Sequence, residues 1–487
     1  MQAAQNQLRW RTPFVVFGVL LLQILTHLAW LPISTQAGQI AVPWLMSRGM
    51  TMFGNMFENR PPATGIILAA LFRLLPQIQP LLLVRALNLL LILALTLLVY
   101  ALAKRLTGSV RTALLAVVLW ALWEPVYGNI LFYFDTLVGL LLVLAAILGM
   151  GTKRTSAIAL CGVLLGLATL FKQPAWAAAF LFGLWLVAQR RWRDLAALIG
   201  GALVFPLLTV LIIALQGNLS SYLFWNFGRY LVNSPGGQPL TGSILRKFLF
   251  TDMLAPAFIL RALKQRAEQR QRWLLVGALW LGGIANLLPN FSEIYLMAHL
   301  PLLAVMSGVV ISELLPDDWR TWFKRADTVQ ITLVGVALAI AVGWAWIIIT
   351  PYIPGPLGRA RIPAYDEFIP VAERVNAIKQ PGDSLYVIPI LDGNPQLFEM
   401  TDLLPPGSWI MGNNVFMAVP GMRERLLAEW ALDPPDIVVD FPDLRPVAGE
   451  WIEPLADFVK AHYTLVDQVD DVPFNGDAVI YRVNSGS

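Results

Sequence analysis

Two acidic residues stand where a carboxylate could take part in a reaction. Asp135 opens an apolar run in "LFYFDTLVGLL", and Glu58 lies in the loop sequence "MFENRPP". A carboxylate at bilayer depth is costly to bury and is by default a candidate functional group. The alternative for Asp135 is a helix N-cap, which satisfies free amides and the helix dipole. For Glu58 and its neighbour Arg60 the alternative is an ordinary loop role.

Further polar side chains lie at the ends of apolar runs. Lys172 and Gln173 end one such run in "LATLFKQPAW", where an ammonium group can extend to lipid headgroups or meet a lipid phosphate. The segment "NFSEIYLMAH" contains Glu293, Tyr295 and His299, and the last two are one helical turn apart. For His299 the alternative is a hydrogen bond between helices.

Several kinds of site are absent from the sequence. No His and Cys residues have metal-ligand spacing, and neither a P-loop nor a Rossmann glycine pattern occurs. Charges do not recur in the middle of many apolar runs, as they often do in ion-coupled transporters. His27, in the first apolar run, is interpreted as structural. The single cysteine, Cys161, excludes an intrachain disulfide.

The amino-acid composition indicates the class of protein that positions these residues. Of the 487 residues, 57% are hydrophobic and 14% charged, against about 25% charged residues in soluble proteins. Apolar runs of about 20 residues, the length that spans a bilayer, predict a polytopic α-helical membrane protein with about eleven transmembrane helices. Basic clusters occupy alternate loops, which places the N-terminus in the cytoplasm and the residues after Thr350 outside it.

The character of the sequence changes after the last apolar run. We predict a transmembrane domain over residues 1–351, with an amphipathic first outer loop at 34–80 that includes an interfacial helix. Residues 352–487 are predicted to form a small extracytoplasmic α/β domain. Apolar patterning places its strands at 384–391, 436–441 and 477–483, and its helices at 368–379 and 421–432.

The order of motifs over roughly residues 10–350 resembles a known superfamily. The motifs are "WLMSRGMTMFGNMFENRPP", "GLATLFKQPA" and "EIYLMAHLPLLAV". The chain is similar to the lipid-linked-sugar glycosyltransferases of the GT-C superfamily, and most similar to the bacterial protein mannosyltransferase-like and aminoarabinose-transferase-like enzymes. This resemblance implies transfer of a sugar from a polyprenyl-phosphate donor to an extracytoplasmic glycan, lipid or protein acceptor.

The resemblance also implies residue roles. Asp135 and Glu58 would be the catalytic acids, and Arg60 and Lys172 would bind the donor phosphate. The attacking hydroxyl needs a general base, whereas the leaving lipid phosphate needs positive charge rather than a proton. The cavity would be lined by Gln173, Glu293, Tyr295 and His299. No cofactor or nucleic-acid partner is implied, and the need for a divalent metal is left open.

The sequence departs from the superfamily pattern after the first helix. Members carry Asp, often Asp-Glu, at positions occupied here by Thr35 and Gln36, and Glu58 is the first acid in the chain. Three explanations follow: Glu58 or Asp135 has taken over the base role, another acid such as Glu293 reaches the site, or the protein binds lipid-linked sugar without transferring it. A lipid or sugar transporter is a further alternative.

Overall fold

The computed structural model describes residues 2–29, 38–57, 60–126, 132–228, 245, 248, 251–288, 293–314, 365–390, 394–410, 419–473 and 476–484. These residues form two compact units. The first contains Met1–Ala29, Leu87–Thr209 and Gly237–Arg361, and the second contains Trp30–Ala86, Val210–Gly236 and Ile362–Ser487. The predicted last span, at 329–350, lies outside the described residues.

Helices dominate the described chain up to residue 314. In chain order they are α1 Gln2–Ala29, α2 Gly38–Ser47, α3 Ala63–Leu74, α4 Pro80–Thr107, α5 Val110–Val126, α6 Phe134–Gly149, α7 Thr155–Thr169, α8 Trp176–Ala188, α9 Trp192–Leu215, α10 Leu219–Leu223, α11 Ala255–Lys264, α12 Ala267–Ile284 and α13 Leu300–Leu314. Short 3-10 turns at Gln173–Ala175, Ala285–Leu287 and Glu293–Ala298 connect several of them, and a π turn, Phe224–Gly228, follows α10.

Strands and shorter helices alternate after residue 364. They are α14 Ile369–Ile378, β2 Leu385–Ile388, α15 Gln396–Thr401, β3 Trp409–Ile410, α16 Met422–Leu432, β4 Ile437–Asp440, α17 Arg445–Ala448, α18 Glu453–His462, β5 Tyr463–Val472 and β6 Gly476–Val483, with β1 at Met56–Phe57. The main sheet has the order β2-β4-β6-β5, with β2 parallel to β4 and the other pairs antiparallel. The register places Val439 opposite both Val387 and Ile480. The predicted strands and helices of this segment coincide with β2, β4, β6, α14 and α16.

Two of the described helices are long and apolar enough to cross a bilayer by length and composition, namely α4 and α9. Several described helices are apolar but shorter, among them α6, α7 and α13. Large apolar side chains remain exposed along α9, including Leu207 and Leu211. Such an apolar surface suits contact with lipid rather than water.

Small residues allow the helices of the first unit to approach closely. A Cβ on Gly162 or Gly166 of α7 would collide with the α9 backbone at Leu198 and Ala202. Small residues at helix contacts are typical of packing in a bilayer, where close backbone approach replaces the hydrophobic driving force. Elsewhere in this unit α5 packs against α13, α8 against α12, and α6 against α7 and the Glu293–Ala298 turn.

The second unit joins first-loop and C-terminal segments. Strand β1 pairs in parallel with β3, and α2 packs against α15. The Arg425 guanidinium lies 4.6 Å from the centre of the Phe57 ring. Helix α3 begins at Ala63, where an interfacial helix was predicted. The compact units group Trp30–Ala86 with Ile362–Ser487. The predicted division into two domains at residue 351 stays a prediction.

Candidate functional site

A buried ion pair lies in the first unit between α6 and the end of α7. The Lys172 Nζ is 3.0 Å from one carboxylate oxygen of Asp135 and 3.3 Å from the other. Asp135 is fully buried, and Lys172 is 7% exposed. The structure therefore favours neither a headgroup-directed lysine nor a simple capping acid, since each side chain has the other as its partner.

Local sequence explains why each partner lies at a helix end. Helix α6 is capped by Tyr133 in an extended conformation, without a side-chain capping hydrogen bond. Asp135 then falls in the first turn, where a negative charge is favoured by the helix dipole. Helix α7 ends at Thr169, and Lys172 adopts an extended backbone just before the Gln173–Ala175 turn, whose proline prevents the helix from continuing.

Aromatic rings surround the Lys172 ammonium. Its Nζ lies 3.1 Å from the centre of the Tyr295 ring and 5.4 Å from the centre of the Phe134 ring. Tyr133 contacts both of these rings, at centroid distances of 6.1 Å to Tyr295 and 4.0 Å to Phe134. A ring face attracts a cation, most strongly when water is excluded. The rings therefore hold the ammonium in place without neutralising it.

A second acid–base pair involves Asp252 and His299 of the same unit. The His299 Nε2 lies 3.2 Å and 3.3 Å from the two carboxylate oxygens of Asp252. That carboxylate also accepts hydrogen bonds from Trp280 Nε1 and Thr251 Oγ1, each at 3.0 Å. His299 is fully buried and follows directly after the turn that carries Tyr295.

Two glycines allow the Tyr295–His299 segment to pack closely. A Cβ on Gly139 of α6 would lie 3.2 Å from the Ala298 carbonyl oxygen, and one on Gly283 of α12 would lie 2.7 Å from the His299 Cβ. Any larger residue at Gly283 would displace the histidine. The two acid–base pairs are thus positioned by one short segment that packs against both helices.

The predicted site residues fall into three groups. Asp135, Lys172, Tyr295 and His299 lie in the first unit and make the contacts given above, and Gln173 lies half-buried beside Lys172. Arg60 is half-buried in the second unit. Glu58, Thr35, Gln36 and the side chain of Glu293 lie outside the described residues. The assignment of site roles therefore stays a prediction.

Asp252 and Trp280 were not predicted from the sequence. Asp252 stands in "LFTDMLAP", an acid beside aromatic and aliphatic residues at the start of an apolar helix. This is the same signal that identified Asp135, and it could have identified Asp252. Trp280 has no such signal, because the sequence around a tryptophan in an apolar helix does not reveal which acceptor its N–H group meets.

A metal site was left open by the sequence. Within the described ranges, no group of three or more His, Cys, Asp and Glu side chains is placed to hold a metal ion. The Asp252–His299 pair supplies two such groups, and its carboxylate is already occupied by N–H and O–H donors. The described side chains therefore do not fit a metal there.

Apolar grooves follow both sides of α8, which begins four residues after Lys172. One groove, of about 430 Å³, lies between α8 and α9 and is lined by residues such as Phe180, Leu184 and Leu198. The other, of about 380 Å³, lies between α8 and α12 and is lined by Phe180, Leu181 and Leu281. Both are lined almost entirely by carbon and suit a hydrocarbon chain.

Comparisons with known proteins agree with this architecture. A family model described as a predicted membrane protein, DUF2079, matches residues 63–311. ArnT from Cupriavidus metallidurans, solved bound to undecaprenyl phosphate, superposes with a TM-score of 0.65 at 13% identity, over 96% of this chain and 97% of that one. No curated protein matches the sequence.

A second solved structure gives a similar result. The archaeal oligosaccharyltransferase AglB from Archaeoglobus fulgidus, in complex with an inhibitory peptide and a dolichol-phosphate, gives a TM-score of 0.55 at 11% identity, over 97% of this chain and 74% of that one. ArnT and AglB both have the GT-C fold. At such low identity the likeness concerns the fold, and the resemblance to the GT-C superfamily expected from the sequence is confirmed at that level.

Proposed function

Because the chain belongs to the DUF2079 family of predicted membrane proteins and has the GT-C fold, we propose that it transfers a sugar from a polyprenyl-phosphate donor to an extracytoplasmic acceptor. The observation that carries the proposal is the buried Asp135–Lys172 pair against Tyr295. ArnT, which shares the fold, was solved with undecaprenyl phosphate. The acceptor is a glycan, a lipid or a protein.

Lys172 supplies the positive charge that this reaction needs. When the bond between the sugar and phosphate breaks, negative charge grows on the phosphate oxygen, and a fixed ammonium stabilises it. The tyrosine and phenylalanine rings hold the ammonium away from water, where its interaction with phosphate is stronger. In this proposal Lys172 contacts the phosphate while it stays paired with Asp135, because an ammonium group has three N–H donors.

The remaining predicted residues complete the proposal. Asp135 positions Lys172 through its two contacts with Nζ. Arg60 is a second phosphate ligand, Glu58 is the second acid of the site, and Gln173, Glu293, Tyr295 and His299 line the cavity. The role of Glu58 rests on the family resemblance and on its place in the first outer loop.

The grooves beside α8 support a lipid-linked donor. A polyprenyl chain is long and purely apolar, so a groove lined by carbon can hold it through close packing. A chain lying along α8 would bring its phosphate toward the end of that helix next to Lys172. We propose that the hydrocarbon tail of the donor lies in one of these two grooves.

The detailed topology is part of the same proposal. It has about eleven spans, a cytoplasmic N-terminus and an extracytoplasmic α/β domain over residues 352–487. The basic clusters in alternate loops support this orientation. The site then opens on the extracytoplasmic side of the membrane, where lipid-linked sugars are used.

A transfer assay with the purified full chain in nanodiscs tests the proposal. A panel of undecaprenyl-phosphate hexoses and pentoses is offered, and release of free undecaprenyl phosphate is followed. Binding of undecaprenyl phosphate is measured in parallel. We expect release with at least one donor, and we expect Lys172→Met to abolish it and to weaken lipid binding. Lys104→Met is a matched control, because Lys104 is exposed and also lies over a tyrosine ring, 5.7 Å from its centre.

Other outcomes identify the alternatives. Binding without release from any donor would indicate a relative that binds lipid-linked sugar without transfer, as the residues Thr35 and Gln36 suggest. Accumulation of an unmodified sugar or lipid across a vesicle membrane, with no covalent product, would indicate a transporter. Either result would contradict transfer as the function.

A further inference from the structure

His299 has one ring nitrogen that the described protein does not use. Its Nδ1 is buried and has no hydrogen-bond partner among the described residues. A buried polar atom without a partner is costly, because it has lost its hydrogen bonds to water and gained none in the protein. Such an atom is unusual enough in a folded protein to need an explanation, and a bound ligand is one.

The surroundings of Asp252 fix which proton the imidazole carries. The carboxylate of Asp252 can only accept hydrogen bonds, so the His299 Nε2 at 3.2 Å must carry the hydrogen. Trp280 and Thr251 donate to the same carboxylate and hold it in place. In the neutral imidazole Nδ1 then carries a lone pair and no hydrogen, so it can accept a proton but cannot donate one.

This lone pair lies in the segment that also places the donor-phosphate ligand. Tyr295, whose ring holds Lys172, is separated from His299 by three residues of the same short segment. That segment packs against α6, which carries Asp135. Asp135 is already paired with Lys172, and the loop acids expected of the superfamily are replaced by Thr35 and Gln36. Among the described side chains a proton acceptor other than Asp135 is therefore needed, and Glu58 is the competing candidate that the test below includes.

We infer that His299 is the general base of the proposed transfer, held in its reactive tautomer by Asp252. This inference rests on the proposed function and names a catalytic group for it. The acceptor's O–H bond breaks and its proton moves to Nδ1 of His299. The acceptor oxygen forms a bond to the anomeric carbon, and the bond from that carbon to phosphate oxygen breaks.

The two charges that the reaction creates, on the leaving phosphate and on His299, each meet an opposite charge in the first unit. The polyprenyl phosphate leaves with the bonding electron pair, and Lys172 meets its charge. The imidazolium that results is stabilised by the Asp252 carboxylate, as in other acid–histidine arrangements. The proton returns to water when product leaves, which restores the neutral imidazole.

The test compares turnover with donor binding in three variants of the full chain in nanodiscs. His299→Gln keeps a polar side chain but cannot accept a proton, and we expect turnover to fall about 10²- to 10⁴-fold. Asp252→Asn keeps the size of the side chain but loses the charge that orients and stabilises the imidazole, and we expect a fall of up to about 10⁴-fold. Both variants should bind undecaprenyl phosphate as the wild type does, which a merely structural role would not predict.

Glu58→Gln is the third variant, and His462→Gln is the matched control. His462 makes a hydrogen bond from its Nδ1 to the Phe458 carbonyl oxygen in the second unit. Turnover by His299→Gln at the wild-type rate would overturn the inference, as would loss of turnover in Glu58→Gln alone. If the wild type itself releases no phosphate from any donor, the proposed function fails and the inference fails with it. Loss of turnover in His299→Gln, with undecaprenyl phosphate binding unchanged, would support His299 as the general base.

Discussion

Two buried acids of the first unit differ in how they are held. At Asp135, Lys172 contacts both carboxylate oxygens within 3.3 Å. At Glu124 of α5, the His27 imidazole lies 3.6 Å from one carboxylate oxygen, and neither oxygen accepts a hydrogen bond from a described residue. Both acids are fully buried. Burial alone therefore does not distinguish them, and the partners do.

The polar groups described near Glu124 carry no permanent charge. The Asn88 Nδ2 lies 3.5 Å from His27 Nε2, while Gln23 accepts a hydrogen bond from Thr96 at 2.8 Å. This set, which we call the Glu124 cluster, links α1, α4 and α5 through weak or neutral contacts. The Asp135 site instead joins full charges and aromatic rings. An arrangement of fixed charge can bind an anion such as phosphate, whereas a neutral cluster mainly specifies how helices pack.

The largest effect is expected from removing Lys172. Lys172→Met leaves the Asp135 carboxylate buried without its cation, which typically costs about 3–5 kcal/mol. We expect both loss of sugar transfer and a clear fall in the thermal unfolding temperature in detergent. The double variant Asp135→Leu with Lys172→Met should recover most of the stability, because neither charge remains, but none of the transfer.

That double variant separates the two roles of the pair. If it recovers transfer together with stability, the pair is structural and the contrast with Glu124 disappears. If it recovers neither, overpacking rather than charge determines the result, and Asp135→Asn with Lys172→Gln repeats the test with side chains closer in volume to the originals.

A smaller effect is expected from introducing volume beside His299. Gly283→Ala places a methyl group 2.7 Å from the His299 Cβ, and such overpacking costs about 1–3 kcal/mol. Transfer should fall because His299 is displaced. Gly200→Ala in α9 is the matched control, since a Cβ there meets no atom within 4 Å. Equal transfer in the two variants would show that the close packing of His299 is unimportant.

The Glu124 cluster should tolerate a change that the Asp135 site does not. Glu124→Gln replaces an acid whose oxygens accept no hydrogen bond from a described residue by a neutral side chain of similar size, so the stability should change by less than about 1 kcal/mol. Transfer should stay near the wild-type rate. Thermal unfolding and donor turnover are measured beside Asp135→Asn, which we expect to lose both. Loss of turnover in Glu124→Gln would show that the neutral cluster also serves the reaction.

The sequence predicts the groups of the site better than their pairing. Asp135, Lys172, Tyr295 and His299 stand out because polar residues in apolar runs are costly. Their pairing depends on helix contacts between distant segments, set by glycines such as Gly139 that carry no local signal. The same cost argument applies to Asp252 and to Glu124, neither of which was predicted.

The two parts of the fold were predictable to different degrees. The helical membrane class follows from composition alone, and strands such as Leu385–Ile388 follow from short apolar runs bounded by polar residues. The association of the first-loop segment Trp30–Ala86 with Ile362–Ser487 was not predicted, because it depends on contacts such as β1 with β3 across hundreds of residues. No local pattern encodes that pairing.

The last effect concerns stability at different pH rather than transfer, and it involves Glu399 of α15, an acid that, like Glu124, has a neutral partner. Burial raises the pKa of Glu399 to about 7, although the hydrogen bond that Tyr365 donates to it lowers this pKa. The folded state then binds more protons than the unfolded state between pH about 4.5 and about 7, so stability should fall as the pH rises through this window and level off above it. Glu399→Gln should remove this part of the pH dependence of the unfolding temperature, whereas Glu373→Gln, at an exposed position of α14, should preserve it. An unchanged slope in Glu399→Gln would mean that a neutral partner is enough to keep a buried acid's pKa at its ordinary value, and the distinction between neutral and charged partners would lose its physical basis.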